Sequence, residues 1–190
     1  LFNYIHGSLN LKLIGSMPVG LAKDARLLLW PDADLAGDKG SPRATGGFWV
    51  ELECGEHRWP SAWQSKRQTS TAISTAETET ISLQRCVRTE GLPLQEFLSS
   101  MLSVYLPLHA WEDNSQCISA VTNGYSPNLR HLARVQRTCI GVLHEAFYPT
   151  VEEDVLTGEI DEQPFLNCFI DHCPSGEHKG DIFIKPLDRA

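Results

Sequence analysis

The chain has 190 residues, 42% hydrophobic, 21% charged and 8% aromatic, with 16 Lys and Arg against 24 Asp and Glu. That is the size of one ordinary domain, too apolar for a disordered chain, and no run approaches the ~18 apolar residues of a membrane span. Six cysteines lie scattered at positions 54, 86, 117, 139, 168 and 173, without the density of a secreted scaffold, so a reduced, intracellular, soluble domain is expected.

Residues 1–23, opening at Leu1 rather than Met as a piece of a longer chain would, read as a connector, with the domain proper at 24–190. Arg26-Leu-Leu-Leu-Trp30 has the length and apolarity of a buried central strand, ended by Pro31. Asp38–Arg43 is turn chemistry. Gly46–Leu52 and Arg58–Trp63 flank Cys54-Gly-Glu56 and predict a hairpin. Ser74-Thr-Ala-Glu77 is a capping-box pattern that opens a helix to about Thr89. Residues 104–112 fit a strand that delivers Glu112-Asp113-Asn114, and Ser115 to Val121 a short helix. Ser126-Pro127 marks the start of a longer helix towards Glu145. Residues 146–164 read as an acidic loop, Phe165–Ile170 as a last strand and Asp181–Leu187 as a last short helix. A three-strand antiparallel meander followed by alternating units predicts an α/β fold with a mixed five-stranded sheet and helices on both faces.

The net charge of -8 is unevenly placed. Residues 146–181 hold nine acids and one base, whereas residues 1–145 are nearly neutral. Within that body Arg58, Lys66, Arg67, Arg85 and Arg88 form one basic group. Arg130, Arg134 and Arg137 form another, at the spacing of one helix face. A nucleic-acid partner therefore remains compatible with the acidic total.

Four acids stand at element ends: Asp32 after the first strand, Glu77 or Glu79 in the first helix, Asp113 after the fourth strand and Asp181 opening the last helix. Acids at the ends of neighbouring strands can converge, and such a cluster is the donor set for two divalent ions that assist phosphodiester hydrolysis. Magnesium suits it, being an oxygen-seeking cation. Spacing alone leaves ordinary surface and capping acids as the simpler reading.

The local strings narrow the choice. Asp32-Ala-Asp-Leu-Ala-Gly37, Trp63-Gln-Ser-Lys-Arg-Gln68, Ala76-Glu-Thr-Glu79, Asp113-Asn-Ser-Gln116 and Gly180-Asp-Ile-Phe-Ile-Lys-Pro186 occur in one order. As a set they resemble the ribonuclease H domain of copia-type LTR-retrotransposon Pol polyproteins, and Leu1–Leu11 resembles the tail that joins such a domain to its reverse transcriptase. The resemblance covers nearly the whole chain, most poorly at 146–170. It departs at Pro31, Leu35, Ala44-Thr-Gly46 and Gly180, where the family usually has alanine.

The resemblance implies a ribonuclease H-like fold and a metal-dependent endoribonuclease that cuts the RNA strand of RNA–DNA hybrids during reverse transcription. It implies two Mg²⁺, with Mn²⁺ as a substitute, and no small-molecule cofactor. Asp32, Glu79, Asp113 and Asp181 are then the catalytic and metal-holding acids. Glu77 suits the capping box, with an auxiliary role as the alternative. Lys66, Arg67, Arg130, Arg134 and Arg137 are the expected phosphate contacts. The expected partners are the hybrid and the reverse transcriptase region of the same polyprotein, in a cytoplasmic virus-like particle, with no membrane. The alternative is a catalytically decayed or domesticated ribonuclease H-like module that acts in nucleic-acid or protein binding.

Other constellations are weaker. Cys168, His172, Cys173 and His178 lack the two separated ligand pairs of a zinc site. His178, just ahead of Asp181, reads as a mobile auxiliary histidine or a solvated loop residue. Trp49 and Trp63 read as core aromatics rather than base-stacking platforms.

Overall fold

The computed structural model describes residues 6–18, 20, 22–35, 43–69, 71–135, 137–148 and 168–185. The acidic stretch from 149 onward, the Asp38–Arg43 turn up to residue 42, the first residues of the Phe165–Ile170 strand and the end of the Asp181–Leu187 helix lie outside the described residues, as do residues 1–5 of the connector. Within the connector, Ser16 donates its backbone N–H to the Arg58 carbonyl at 3.1 Å.

Five strands form one mixed sheet in the order β3-β2-β1-β4-β5, with β1 Arg26–Asp34, β2 Thr45–Cys54, β3 His57–Arg67, β4 Leu108–Glu112 and β5 Phe169–His172. β1, β2 and β3 are an antiparallel meander, and β4 and β5 run parallel to β1 and β4. This is the mixed sheet expected of a ribonuclease H-like fold.

Pro31 does not end β1. The strand continues to Asp34, because its antiparallel ladder with β2 runs unbroken from Arg26–Glu53 to Asp34–Thr45. On its other side β1 pairs with β4 only over Leu27–Leu29, so the missing N–H of Pro31 falls where that parallel ladder has already stopped. Beyond Leu29 the two strands part, opening a crevice at their C-terminal ends.

Strand alternation separates two faces. Leu27, Leu29, Phe48, Val50, Leu108, Ala110 and Ile170 point into the main core and meet Leu83, Val87, Val121, Leu143 and Phe147 from the helices. Helix α1 (Thr75–Cys86) packs on β1 and β2, α3 (Ser115–Thr122) on β4 and β5, and α5 (Ile140–Phe147) on β4 and α3. The other face carries a 3₁₀ turn, Asp181–Phe183, seated over β1 and β2. Its approach is close: a Cβ on Gly47 would lie 2.7 Å from Phe183 Cβ.

Two helix expectations are corrected. The helix opening at Ser74 does not stop near Thr89. It passes through one π turn, Val87–Gly91, and continues as α2 to Leu102. Gly91 allows this by lying against Leu29, where a Cβ would meet Leu29 Cδ1 at 3.2 Å, and Pro93 follows directly on the π turn, in the first turn of α2. The single helix from Ser126 to Glu145 is instead a 3₁₀ turn (Pro127–Leu129), a short α4 (Leu132–Val135) and α5.

The break after α4 has a partner in α1. Gln84 Nε2 donates to the Arg137 carbonyl at 2.9 Å, and Gln84 Oε1 accepts from Cys139 N at 2.6 Å. Arg137 itself has φ 53°, in the left-handed region. Arg130, Arg134 and Arg137 therefore do not share one helix face, contrary to their spacing.

Candidate metal centre

Asp32 leaves β1 at the mouth of the crevice. Its Oδ1 accepts from Ala33 N at 2.8 Å, and the side chain is buried. Helix α1 is fixed against this point by Ser82, whose Oγ lies 2.8 Å from the Asp32 carbonyl oxygen and 3.0 Å from that of Gly47. Gln68 adds a second tie, with Nε2 donating to the Thr78 carbonyl at 2.9 Å. Ser82 is one turn on from Glu79, so the docking that seats its hydroxyl also turns Glu79 inward.

The two helix glutamates have different surroundings. Ser74 caps α1, its Oγ accepting from Glu77 N at 3.3 Å. Glu77 Oε2 accepts from Ile73 N at 2.8 Å, and its Oε1 lies 3.4 Å from His131 Nε2. Glu77 is thus occupied in closing the helix start. Glu79 is equally buried, yet its Oε2 has no hydrogen-bond partner among the described residues.

Asp113 follows β4 directly. Asn114 caps α3, its Oδ1 accepting from Gln116 N at 3.0 Å and Cys117 N at 3.1 Å. Ser175 Oγ donates to Asp113 Oδ2 at 2.6 Å. One carboxylate oxygen each from Asp32, Glu79 and Asp113 lie within 4.8 Å of one another, and among the described residues no other group of three acid, histidine or cysteine ligand atoms does so. The alternative cluster of Cys168, His172, Cys173 and His178 does not assemble: Cys168 Sγ instead accepts from Leu108 N at 3.3 Å, and His172 is exposed.

Asp181 stands at the rim, outside that group of three. It lies on the 3₁₀ turn, is partly exposed, and takes Lys185 at 2.6 Å. Its charge still reaches the crevice, as one of the causes that raise the Asp32 carboxyl.

Glu112 is a further acid that the element-end reading passed over. It is fully buried, with Oε1 accepting from Asn114 N at 3.2 Å and Oε2 without a partner among the described residues. The signal was present in the sequence as two consecutive acids, Glu112-Asp113, at a strand end.

Crowding of carboxylates in a buried crevice shifts their titration. Burial first, then the Asp113 charge, push the Asp32 carboxyl from 3.8 up to about 7, against a smaller opposing effect of the Ala33 N–H. Glu79 moves up for the same first reason, with Glu112, Asp32 and Asp113 adding to it. Glu112 also rises, through burial. Such a group of carboxyls, with Glu79 and Glu112 oxygens lacking a partner among the described residues, fits a divalent cation that prefers oxygen ligands.

His178 is buried rather than solvated, contrary to the loop reading. Its side chain is 1% exposed, its Nε2–H donates to the Trp111 carbonyl at 2.7 Å, and its ring edge meets Trp30 at 5.8 Å between centroids. Burial pulls its pKa down, so the neutral ring is favoured. Nδ1 lies 3.7 Å from Asp32 Oδ2.

The basic residues fall in two places. Lys66 and Arg67 end β3, pairing with Gly46 and Thr45 of β2. The neighbouring Ser65 donates its Oγ–H to the Phe183 carbonyl, so both lie next to the docking point of the Asp181 turn. Arg130 precedes α4, Arg134 lies within it and Arg137 follows it, all three exposed. Trp49 and Trp63, expected in the core, stack on each other at 5.8 Å on the sheet face away from the α-helices, and Trp63 is 54% exposed.

No family model matches the chain. Solved structures similar to it include LC11-RNase H1, isolated from compost by a metagenomic approach, at 14% identity and TM-score 0.47, over 84% of this chain and 92% of that one. The N-terminal RNase H domain of rv2228c from Mycobacterium tuberculosis is similar at 12% identity and TM-score 0.46, over 84% and 91%. The protease-reverse transcriptase of prototype foamy virus is similar at 12% identity and TM-score 0.46, over 90% of this chain and 22% of that one.

Proposed function

We propose that the chain is a ribonuclease H-type endonuclease that cuts the RNA strand of RNA–DNA hybrids, as part of a copia-type retrotransposon Pol polyprotein. The observation that carries the reading is the meeting of Asp32, Glu79 and Asp113 at the parting of two parallel strands. Those three acids sit on the strings that resemble the family, in the positions the family's acids occupy.

In this reading Asp32, Glu79 and Asp113, with Asp181 from the rim, hold two Mg²⁺, for which Mn²⁺ substitutes. When bound, such ions lower the pKa of a water and neutralise charge on a phosphodiester. The protein's own part is to fix its carboxylates before substrate arrives. Ser82 and Gln68 lock α1, and Ser175 holds Asp113 Oδ2. Glu77 stays with the helix start.

Lys66, Arg67, Arg130, Arg134 and Arg137 supply sequence-independent contacts to the hybrid backbone. The expected partner on the same polyprotein is the reverse transcriptase, with a cytoplasmic virus-like particle as the setting. Cleavage of a labelled RNA–DNA hybrid in magnesium, with Asp113→Asn alongside, tests the reading. Wild-type cutting of the RNA strand, abolished in the variant, is expected. A folded wild type that leaves the hybrid intact overturns it.

A further inference from the structure

The stretch 174–185 brings Asp181 to the site without the support of a helix or strand. Its two 3₁₀ turns contain no buried residue, and most of its side chains are exposed. Apolar contact is concentrated at its end, where Phe183 stacks on Trp49 at 6.0 Å and lies with Ile184 against Gly47, so the position of the preceding residues comes largely from individual contacts.

Those contacts are few and well separated. Ser175 Oγ donates to Asp113 Oδ2 at 2.6 Å, and His178 Nε2 to the Trp111 carbonyl at 2.7 Å. Ser65 Oγ holds the Phe183 carbonyl. Between the second and third of these ties lies Lys179, two residues before Asp181. Its ammonium pairs with Glu51 of β2 and sits 5.2 Å from the centre of the Trp30 ring. Trp30 in turn stacks on Trp111 at 5.8 Å and meets the His178 ring edge.

Glu51 is suited to act as the anchor. Its carboxylate is 3% exposed on the central part of the sheet, and Trp49 Nε1 donates to it at 2.8 Å. Trp49 and Arg58 hold it independently of Lys179. An ion pair to a buried, preorganised carboxylate, backed by an aromatic face, holds position far better than a pair between two mobile surface groups.

We propose that Lys179 is a positioning residue: by spanning Glu51 and the Trp30 ring it latches the 178–183 segment to the sheet and so sets where Asp181 meets the carboxylate crevice. The inference rests on the reading above that Asp181 serves the hybrid-cutting site. The latch acts at a distance from the reacting atoms and touches none of the three clustered acids.

Lys179→Met is the clean variant. It keeps the aliphatic stem, and Glu51 retains Trp49 and Arg58, the latter at 3.8 Å, so no buried carboxylate is stranded. Hydrogen exchange of the whole chain, read at the amides of Asp181, Phe183 and Ile184, which are bonded to the carbonyls of His178, Gly180 and Asp181, is expected to speed up about tenfold, with the amides of α1 and β4 unchanged. Lys179→Arg, which keeps charge and ring contact, is expected to restore protection. On a labelled hybrid, Lys179→Met is expected to lower kcat about tenfold with KM unchanged, and Lys179→Arg to recover it. Unchanged exchange at 181–184, or equal acceleration throughout the protein, overturns the latch. A wild type that cuts hybrid no faster than Lys179→Met overturns the positioning role, whereas a wild type that does not cut at all removes the functional reading beneath it.

Discussion

Asp32, Glu79 and Asp113 on one side, and Asp181 on the other, are held by different physics. The first three sit on β1, α1 and the end of β4, elements whose ladders and helix bonds are cooperative and whose inner faces fill one apolar core. Asp181 sits on a single 3₁₀ turn tied down by a handful of side chains. A cooperative scaffold averages out small insults, whereas a chain of single contacts passes each one on to the group it carries. Substitutions near the three clustered acids are therefore expected to act in an all-or-none way, and those near Asp181 by degrees.

The sharpest test of the first half is Glu79→Gln. On the proposed reading, losing one carboxylate from the cluster is expected to remove several kcal/mol of metal-assisted charge stabilisation, about a thousandfold in kcat. The melting temperature in metal-free buffer is expected not to fall, because burial already favours the uncharged side chain. A variant that loses cleavage only because it unfolds would break the comparison.

Gly180→Ala tests the second half. A methyl there would run into the Trp30 carbonyl oxygen and lie 3.1 Å from Asp32 Cβ. The turn must shift, Asp181 with it, and hybrid cleavage is expected to drop roughly ten- to a hundredfold while folding survives. Full activity with alanine, the residue usual in the resembled family, would show that this segment yields without consequence.

A pH series sharpens the picture of the crowded crevice. Folding raises the Asp32 carboxyl from 3.8 to about 7, so the folded state binds its proton more tightly than the unfolded chain. The stability this contributes is fully present below the unfolded value and lost as pH rises through the folded one. The metal-free melting temperature is therefore expected to fall between about pH 4 and pH 7. Asp32→Asn is expected to flatten the decline, and added magnesium to reduce it. A metal-free melting temperature that rises over the same window would contradict the buried cluster.

The smallest effect is expected at the helix start. Ser74→Ala removes the cap that accepts from Glu77 N and should cost about 1 kcal/mol in urea denaturation. That loss spreads over a cooperative element and leaves the order of strands unchanged.

Much of this organisation was legible in the sequence where local rules act. The hairpin around Gly55, the cap at Ser74 and the acids at strand ends follow from turn chemistry, side-chain reach and periodicity. Glu77 and Glu79 differ in role because a third position from a serine cap is drawn to backbone donors, a purely local matter. What stayed hidden depends on residues far apart in the chain. The break between α4 and α5 is stabilised by Gln84, more than fifty residues earlier, so the arginine spacing at 130, 134 and 137 gave a helix face that does not form. The fixed state of His178 depends on a carbonyl 67 residues away. Gly91 and Pro93 carry breaker chemistry, yet the helix continues, because a π turn absorbs the register change against Leu29.

The Lys179–Glu51 pair joins residues 128 apart, and the Ser65–Phe183 bond joins residues 118 apart. Closing loops of that span is slow relative to forming a hairpin or a helix. The meander and α1 are thus expected to assemble first, with the crevice shaped but short of Asp181, and the 178–183 segment to settle last. During synthesis the same order holds, since β1 to α1 leave the ribosome well before residue 181 does. On the proposed reading, a nascent chain would carry three of the four acids for an appreciable time before acquiring Asp181, and hybrid cleavage would begin only as folding finished.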